Sequence, residues 1–156
     1  MKANIQHYVS SFENLYEGEP WYGRSIVSIV REVPPTQAFK KNSPASHSIY
    51  EIVGHMLAWR DLFVKRLNGD YSSSIQSNSE SDWPKLPAEK NAGSWDQLLH
   101  KLSENQQALI NALKKVNDGQ LDKDFAKTNA TLETHLEGNL QHDIYHLGQI
   151  AVLNKS

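Results

Sequence analysis

Two histidines four residues apart, His142 and His146, in the run His142-Asp143-Ile144-Tyr145-His146-Leu147-Gly148-Gln149, carry the most specific chemistry in this chain. The run reads as helix, and at about 100° per residue a four-residue step returns to nearly the same face, so both imidazoles reach one point. On a helical wheel His142, His146 and Gln149 fall within about 60° of one another, away from the aliphatic stripe. Core packing alone would place leucines there. His55 lies in a separate amphipathic segment and points inward as well. Three neutral imidazoles with coordination positions left open describe a catalytic metal site better than a closed structural one.

Plainer readings stand beside each of these. A histidine pair at this spacing in a soluble helix is most often surface or hydrogen-bonded polar structure, and a lone histidine on an apolar face is usually a core residue. His135 shares the face of His142 but lies ~10 Å down the axis at 1.5 Å per residue, too far for one mononuclear site. His47 reads as loop or mouth, and His7 and His100 as helix surface. Glu51, one turn before His55, is a candidate acceptor for an imidazole N–H, although its place in a helix cap explains it better. Trp59, one turn after His55, is the best candidate for a pocket wall, against core packing as the alternative. Arg24, Arg31, Arg60 and Arg66 are the cations that could meet an anionic substrate.

The elements that must position these residues are helical. Ile5, Tyr8, Val9, Phe12, Leu15 and Tyr16 keep a helical period until Gly18 and Pro20 break it. A second piece runs from Trp21 through Ile26, Ile29 and Val30 to Pro34-Pro35. Ser48-Ile49-Tyr50-Glu51 is a capping box that opens a helix with Ile49, Ile52, Val53, Met56, Phe63 and Leu67 on its apolar face, closed by Asn68-Gly69. From Gly69 to Gly93 periodicity is lost among serine, proline, glycine and charge, so a long connection is expected, functional or mobile, with Trp83-Pro84 pinning it. Ser94-Trp95-Asp96-Gln97 reads as a second capping box before Leu98, Leu102, Leu109, Leu113 and Val116. The last helix runs from about Thr131 to Asn154, with Leu132, Leu136, Leu140, Ile144, Leu147 and Ala151 apolar. The expected fold is therefore all-α: one domain over residues 1–156, a four-helix bundle with a broken first helix and long inter-helix connections.

Composition bounds the function. A chain of 156 residues with no cysteine leaves any metal to nitrogen and oxygen ligands and removes a cysteine nucleophile. A net charge of −2 argues against nucleic acid as a partner. No apolar run approaches the ~18 residues of a membrane span, and Met1–Tyr8 shows no leader, so no membrane association is expected and the cytoplasm is the expected compartment. No serine has a histidine and acid at triad spacing, and the scattered glycines form no phosphate loop.

The chain resembles the DinB-like (YfiT-like) superfamily of small bacterial four-helix proteins. The resemblance rests on His142-Asp143-x-Tyr145-His146-x-Gly148-Gln149, on Glu17-Gly18-Glu19-Pro20-Trp21-Tyr22-Gly23, on the segment from Ser48 through Gly54-His55 to Arg60, and on Ser81-Asp82-Trp83-Pro84. Gly54 departs from the polar residues many relatives carry before this histidine. The resemblance implies a divalent metal, zinc or nickel, on one histidine of the second helix and two of the last, positions that match His55, His142 and His146. It further implies a stress-associated homodimer acting on a small-molecule substrate, with a low-molecular-weight thiol as cosubstrate.

An open three-histidine site lowers the pKa of a thiol or water it holds. A thiolate attacking an electrophilic carbon makes the expected activity thiol S-transfer; water in its place makes a metal-dependent hydrolase, the alternative. A non-enzymatic metal-binding or dimerisation module is the rival from a different class.

Overall fold

The structure is a computed structural model describing residues 4–156; Met1–Ala3, part of the stretch read for a leader, lie outside the described residues. Four long helices form the bundle: α1 (Ile5–Glu17), α4 (Ile49–Leu67), α5 (Ala92–Leu113) and α6 (Leu132–Leu153), with two short ones, α2 (Ile26–Val30) and α3 (Pro35–Ala38), between the first pair. No β-strand occurs among the described residues. None of these helices is long and apolar enough to cross a membrane.

Caps set the boundaries. In α4 the Ser48 side chain accepts from the Glu51 N–H at 3.2 Å while Glu51 accepts from the Ser48 N–H at 2.8 Å, the reciprocal capping box expected. α6 starts where expected, with Thr131 as its cap. The start of α5 differs: Asn91 is the cap and Ser94 is the third helical residue answering it, so the helix begins one turn before the Ser94-Trp95-Asp96-Gln97 box. Asparagine caps as well as serine does, and Gly93 does not prevent a helix from starting ahead of it. The piece expected from Trp21 to Pro34-Pro35 also shrinks, to Ile26–Val30 capped by Ser25. Residues around Trp21 form a turn in which Gly23 takes a φ of 135°, and Trp21 is fully exposed. Pro35 then starts α3 instead of ending the preceding piece, because its ring fits the first turn of a helix.

The buried residues fall into two apolar layers at opposite ends of the bundle. One holds Leu15, Ile49–Met56 positions of α4, Trp95 to Leu102, and Leu147 with Ile150. The other holds Tyr8 to Phe12, Phe63, Leu109 to Leu113, and Leu132 with Leu136. Chain direction follows from the order in which each helix meets them. α4 and α5 both run from the first layer to the second and are parallel, while α1 and α6 run the other way. Since α4 and α5 are parallel neighbours, the chain must return the full length of a 19-residue helix, about 28 Å, between them. That is the reason for the long connection, which carries no regular element between Asn68 and Asn91.

Between the layers lies a polar one. Arg60 of α4, 2% exposed, donates from Nη1 to Asp143 of α6, from Nε to Asn105 Oδ1 at 2.9 Å and from Nη2 to Gln106 Oε1, the last two on α5. Gln106 Nε2 in turn reaches the Phe12 carbonyl of α1 at 3.2 Å. All four helices are tied at one level. Asp143, fully buried, therefore takes the core position, and Ile144 of the expected stripe is left 37% exposed. Arg60 is thereby removed from the cations open to a substrate. Burial pushes the Asp143 carboxyl up, and the Arg60 guanidinium opposes that rise. Removing one partner of such a pair strands a buried charge. Arg60→Met should destabilise the protein by about 3–5 kcal/mol in urea unfolding, and a change below about 1 kcal/mol would refute the tie as a stability determinant.

Candidate metal centre

His55 is set on α4 seven residues after its cap, where it faces α6 beside the apolar layer, and is 5% exposed. His142 and His146 project from consecutive turns of α6 toward it. One ring nitrogen from each of the three lies within 4.8 Å of the others, and His55 Nε2 stands 3.0 Å from His142 Nε2. His135 is elsewhere, bonded to Thr128 Oγ1 at 2.8 Å.

The partners of the other ring nitrogens fix the protons. His55 Nδ1 lies 2.7 Å from the Asp82 carbonyl oxygen and 3.1 Å from its Oδ1; both are acceptors, so Nδ1 carries the hydrogen and Nε2 presents a lone pair. His146 Nδ1 donates to Gln149 Oε1 at 2.7 Å, which leaves its Nε2 unprotonated in the same way. Two acceptor imidazoles thus crowd His142, and one His142 N–H cannot serve both. A cation does. The residues present fit a divalent ion on chemical grounds: three imidazoles, at least two held in the ligand tautomer, and no competing thiolate.

Electrostatics agree. Burial, reinforced by the neighbouring His146 and His55 rings, pushes the His142 imidazole down to about 4. Burial also lowers His146, against the pull of Gln149. Both are neutral at neutral pH, the state a metal requires.

The long connection supplies the rest. A tight turn, with Asn78 at φ 60° and its N–H on Asp82 Oδ2 at 2.8 Å, aims Asp82 inward, where Oδ1 accepts from the Trp59 indole N–H at 2.7 Å. Burial works to raise the Asp82 carboxyl, but these bonds and the adjacent imidazoles outweigh it and hold it low. Trp83 lies flat on His55, ring centroids 4.1 Å apart, and His47 stacks on its other face at 3.5 Å. Trp83 thus pins the connection, as expected. Further along, Leu86 packs closely on α4: a Cβ at Gly54 would come within 2.7 Å of its side chain, so a larger residue before His55 would oblige Leu86 to shift.

Glu51 does not supply the His55 acceptor: its carboxylate serves the Ser48 cap and pairs with Lys41 at 2.8 Å, and Asp82 fills the role. Nothing in sequence spacing picks out Asp82, which is 27 residues from His55; its only signal is membership of the Ser81-Asp82-Trp83-Pro84 loop. Trp59 and His142 line a small recess of about 190 Å³ with His135 and Asn139, so Trp59 is both wall and hydrogen-bond donor. On the His146 side opens a larger cavity of about 720 Å³, lined in part by Trp83, Tyr145 and Gln149.

Two expectations follow. Asp82→Asn, which weakens the acceptor at His55 and keeps the backbone carbonyl, should cost about 10–100-fold in metal affinity by chelator competition; unchanged affinity would remove Asp82 from the site. The metal-free protein should also be pH-sensitive. His142 titrates lower folded, about 4, than its ordinary 6.5, so unfolding takes up a proton as pH falls between them. Its contribution to stability is full above that window and lost through it. The urea midpoint should fall from pH 7 to pH 4.5 more steeply in wild type than in His142→Ala, and parallel slopes would contradict the buried neutral imidazole.

Neither the curated proteins nor the solved structures compared with the chain give a match. A family profile does: the DinB superfamily profile matches residues 23–150. Because that match covers most of the chain and takes in α4, the long connection, α5 and the three histidines, the chain belongs to the DinB superfamily.

Proposed function

We propose that the protein is a divalent-metal-dependent enzyme, with His55, His142 and His146 as ligands of zinc or nickel, and that it transfers a low-molecular-weight thiol to an electrophilic carbon. The observation that carries this reading is the meeting of three imidazole nitrogens within 4.8 Å, two of them held as acceptors by Asp82 and Gln149. A divalent ion bound there supplies Lewis acidity that brings a thiol or water into its ionised form near neutral pH. The residues around it do the rest. Asp82 and Gln149 orient the imidazoles, Trp83 shields His55 from solvent, and the cavity beside His146 offers the electrophile a place within reach. In the reaction a sulfur–carbon bond forms, the leaving group departs with its electron pair, and the thiol proton passes to solvent.

Arginine placement narrows the thiol. Arg60 is buried against Asp143 and Arg24 pairs with Glu32 at 2.7 Å, and neither recess beside the histidines is lined by lysine or arginine. A compact thiol of low charge fits better than a polyanionic one. The same lack of cations favours the second reading, hydrolysis, in which water takes the place of the thiol.

The deciding experiment measures metal in protein purified without a histidine tag, then assays metal-loaded protein with several small thiols and an electrophilic acceptor. Metal-dependent acceleration that His146→Ala abolishes is the expected outcome. Equal rates for wild type and His146→Ala with every thiol would overturn S-transfer, and failure to hydrolyse a scissile ester or amide as well would leave the non-enzymatic metal-binding module as the reading.

A further inference from the structure

The cavity beside His146 has a composition that selects its occupant. Its walls contain no lysine, arginine, aspartate or glutamate. Ile52, Trp83, Tyr145, Val152 and Leu153 line it. Its volume of about 720 Å³ lies within the range of small-molecule pockets, about 300–1,000 Å³. His47 stacks face to face on Trp83 with an interplanar angle of 4°, so that with His55 on the opposite side both Trp83 faces are covered and its ring edge is what the cavity meets, and burial holds the His47 imidazole below its ordinary pKa and so neutral.

Two further facts have no explanation in packing. Tyr145 and Val152, at the mouth, are 65% and 69% exposed, although they lie on a long helix whose other outward positions include polar ones. Gly148 sits in the interior of α6, where glycine weakens a helix relative to alanine, yet a Cβ there would meet nothing within 4 Å. No neighbour requires the glycine. Its effect is to leave room at the wall of the cavity, one turn from Tyr145.

We infer that this cavity binds an uncharged, largely apolar reactant, seated between Trp83 with His47 and the Tyr145 to Val152 side of α6. An ionised group held against these walls would lose part of its hydration with no partner of opposite sign, whereas an apolar body packs against the side chains and removes Tyr145 and Val152 from water. The inference deepens the proposed function by giving the class of its electrophile, and it rests on the cavity alone.

It can be tested without turnover. The full chain, both as purified and after chelation, is titrated with N-phenyl-1-naphthylamine, which is neutral and brightens in apolar surroundings, and with its 8-sulfonate, the same skeleton carrying a charge. Saturable binding of one neutral probe per chain is expected, at least about tenfold tighter than the sulfonate after chelation. Gly148→Leu should fill the cavity and weaken the neutral probe by a similar factor, with unchanged metal content and a thermal midpoint at or above that of wild type. Val152→Asp, at an exposed position that folding does not need, should weaken it too.

Equal affinity for the two probes, or wild-type binding by both variants, would overturn the inference. So would probe binding that disappears as protein concentration rises, since the cavity would then be covered by a second copy of the chain. Intact probe selectivity in a protein that holds no metal would defeat the proposed function and leave this inference standing.

Discussion

The ion pair between Arg60 and Asp143 is the contact on which the geometry of the site depends. Asp143 is the residue after His142, and Arg60 follows His55 by five positions, so the pair that aligns α4 with α6 also sets His55 opposite His142 and His146. A slip of one helical turn, about 5.4 Å, would separate both sets together. Apolar layers are weak at preventing such slips, because one leucine replaces another with little loss. A buried guanidinium is not so tolerant: its donors are met by Asp143, Asn105 and Gln106 only in this register, and unmet they cost several kcal/mol, on the order of 3–5 for a stranded charge.

The parallel course of α4 and α5 has a comparable reach. Antiparallel neighbours join by a few residues, but these two require a strand of chain along the whole bundle. That strand passes over His55, and there it is held by Trp83 on the imidazole and by the Asp82 carboxylate on Trp59. A topological requirement and a chemical one are met by the same segment. The connection is packed where it touches the histidine and offers little apolar area in its serine-rich part, where Tyr71 and most of the serines stay exposed.

How much of this was legible in the sequence depends on the range of the interaction. The cap at Ser48 was legible because the capping bond spans three residues, and the His142 and His146 pair because one helical turn does. The Asn91 start was obscured by Ser94, which has the composition of a cap and serves as the answering residue instead. Ile144 looked like core because hydrophobicity alone decides the stripe, whereas the inward place went to Asp143 through a partner 83 residues away. Asp82 and Arg60 were opaque for the same reason. Their roles are set by contacts across the bundle, and no local period encodes them.

Helix α6 joins these levels by using different faces for different tasks. Asp143, Leu147 and Ile150 turn inward and fix register; His142 and His146 turn toward α4 and the long connection; Tyr145, Gly148 and Val152 turn to the cavity. Because the inward and histidine faces are constrained by buried polar contacts, a change there disturbs fold or ligands. Tyr145, Gly148 and Val152 have no such contacts: they touch solvent, and Gly148 has free space above it. Substitutions at these three positions change the cavity's shape and leave the buried contacts that set helix register and imidazole geometry in place. The division gives one helix a buried polar centre on two of its faces and, at Tyr145, Gly148 and Val152, exposed positions whose side chains can change without disturbing that centre.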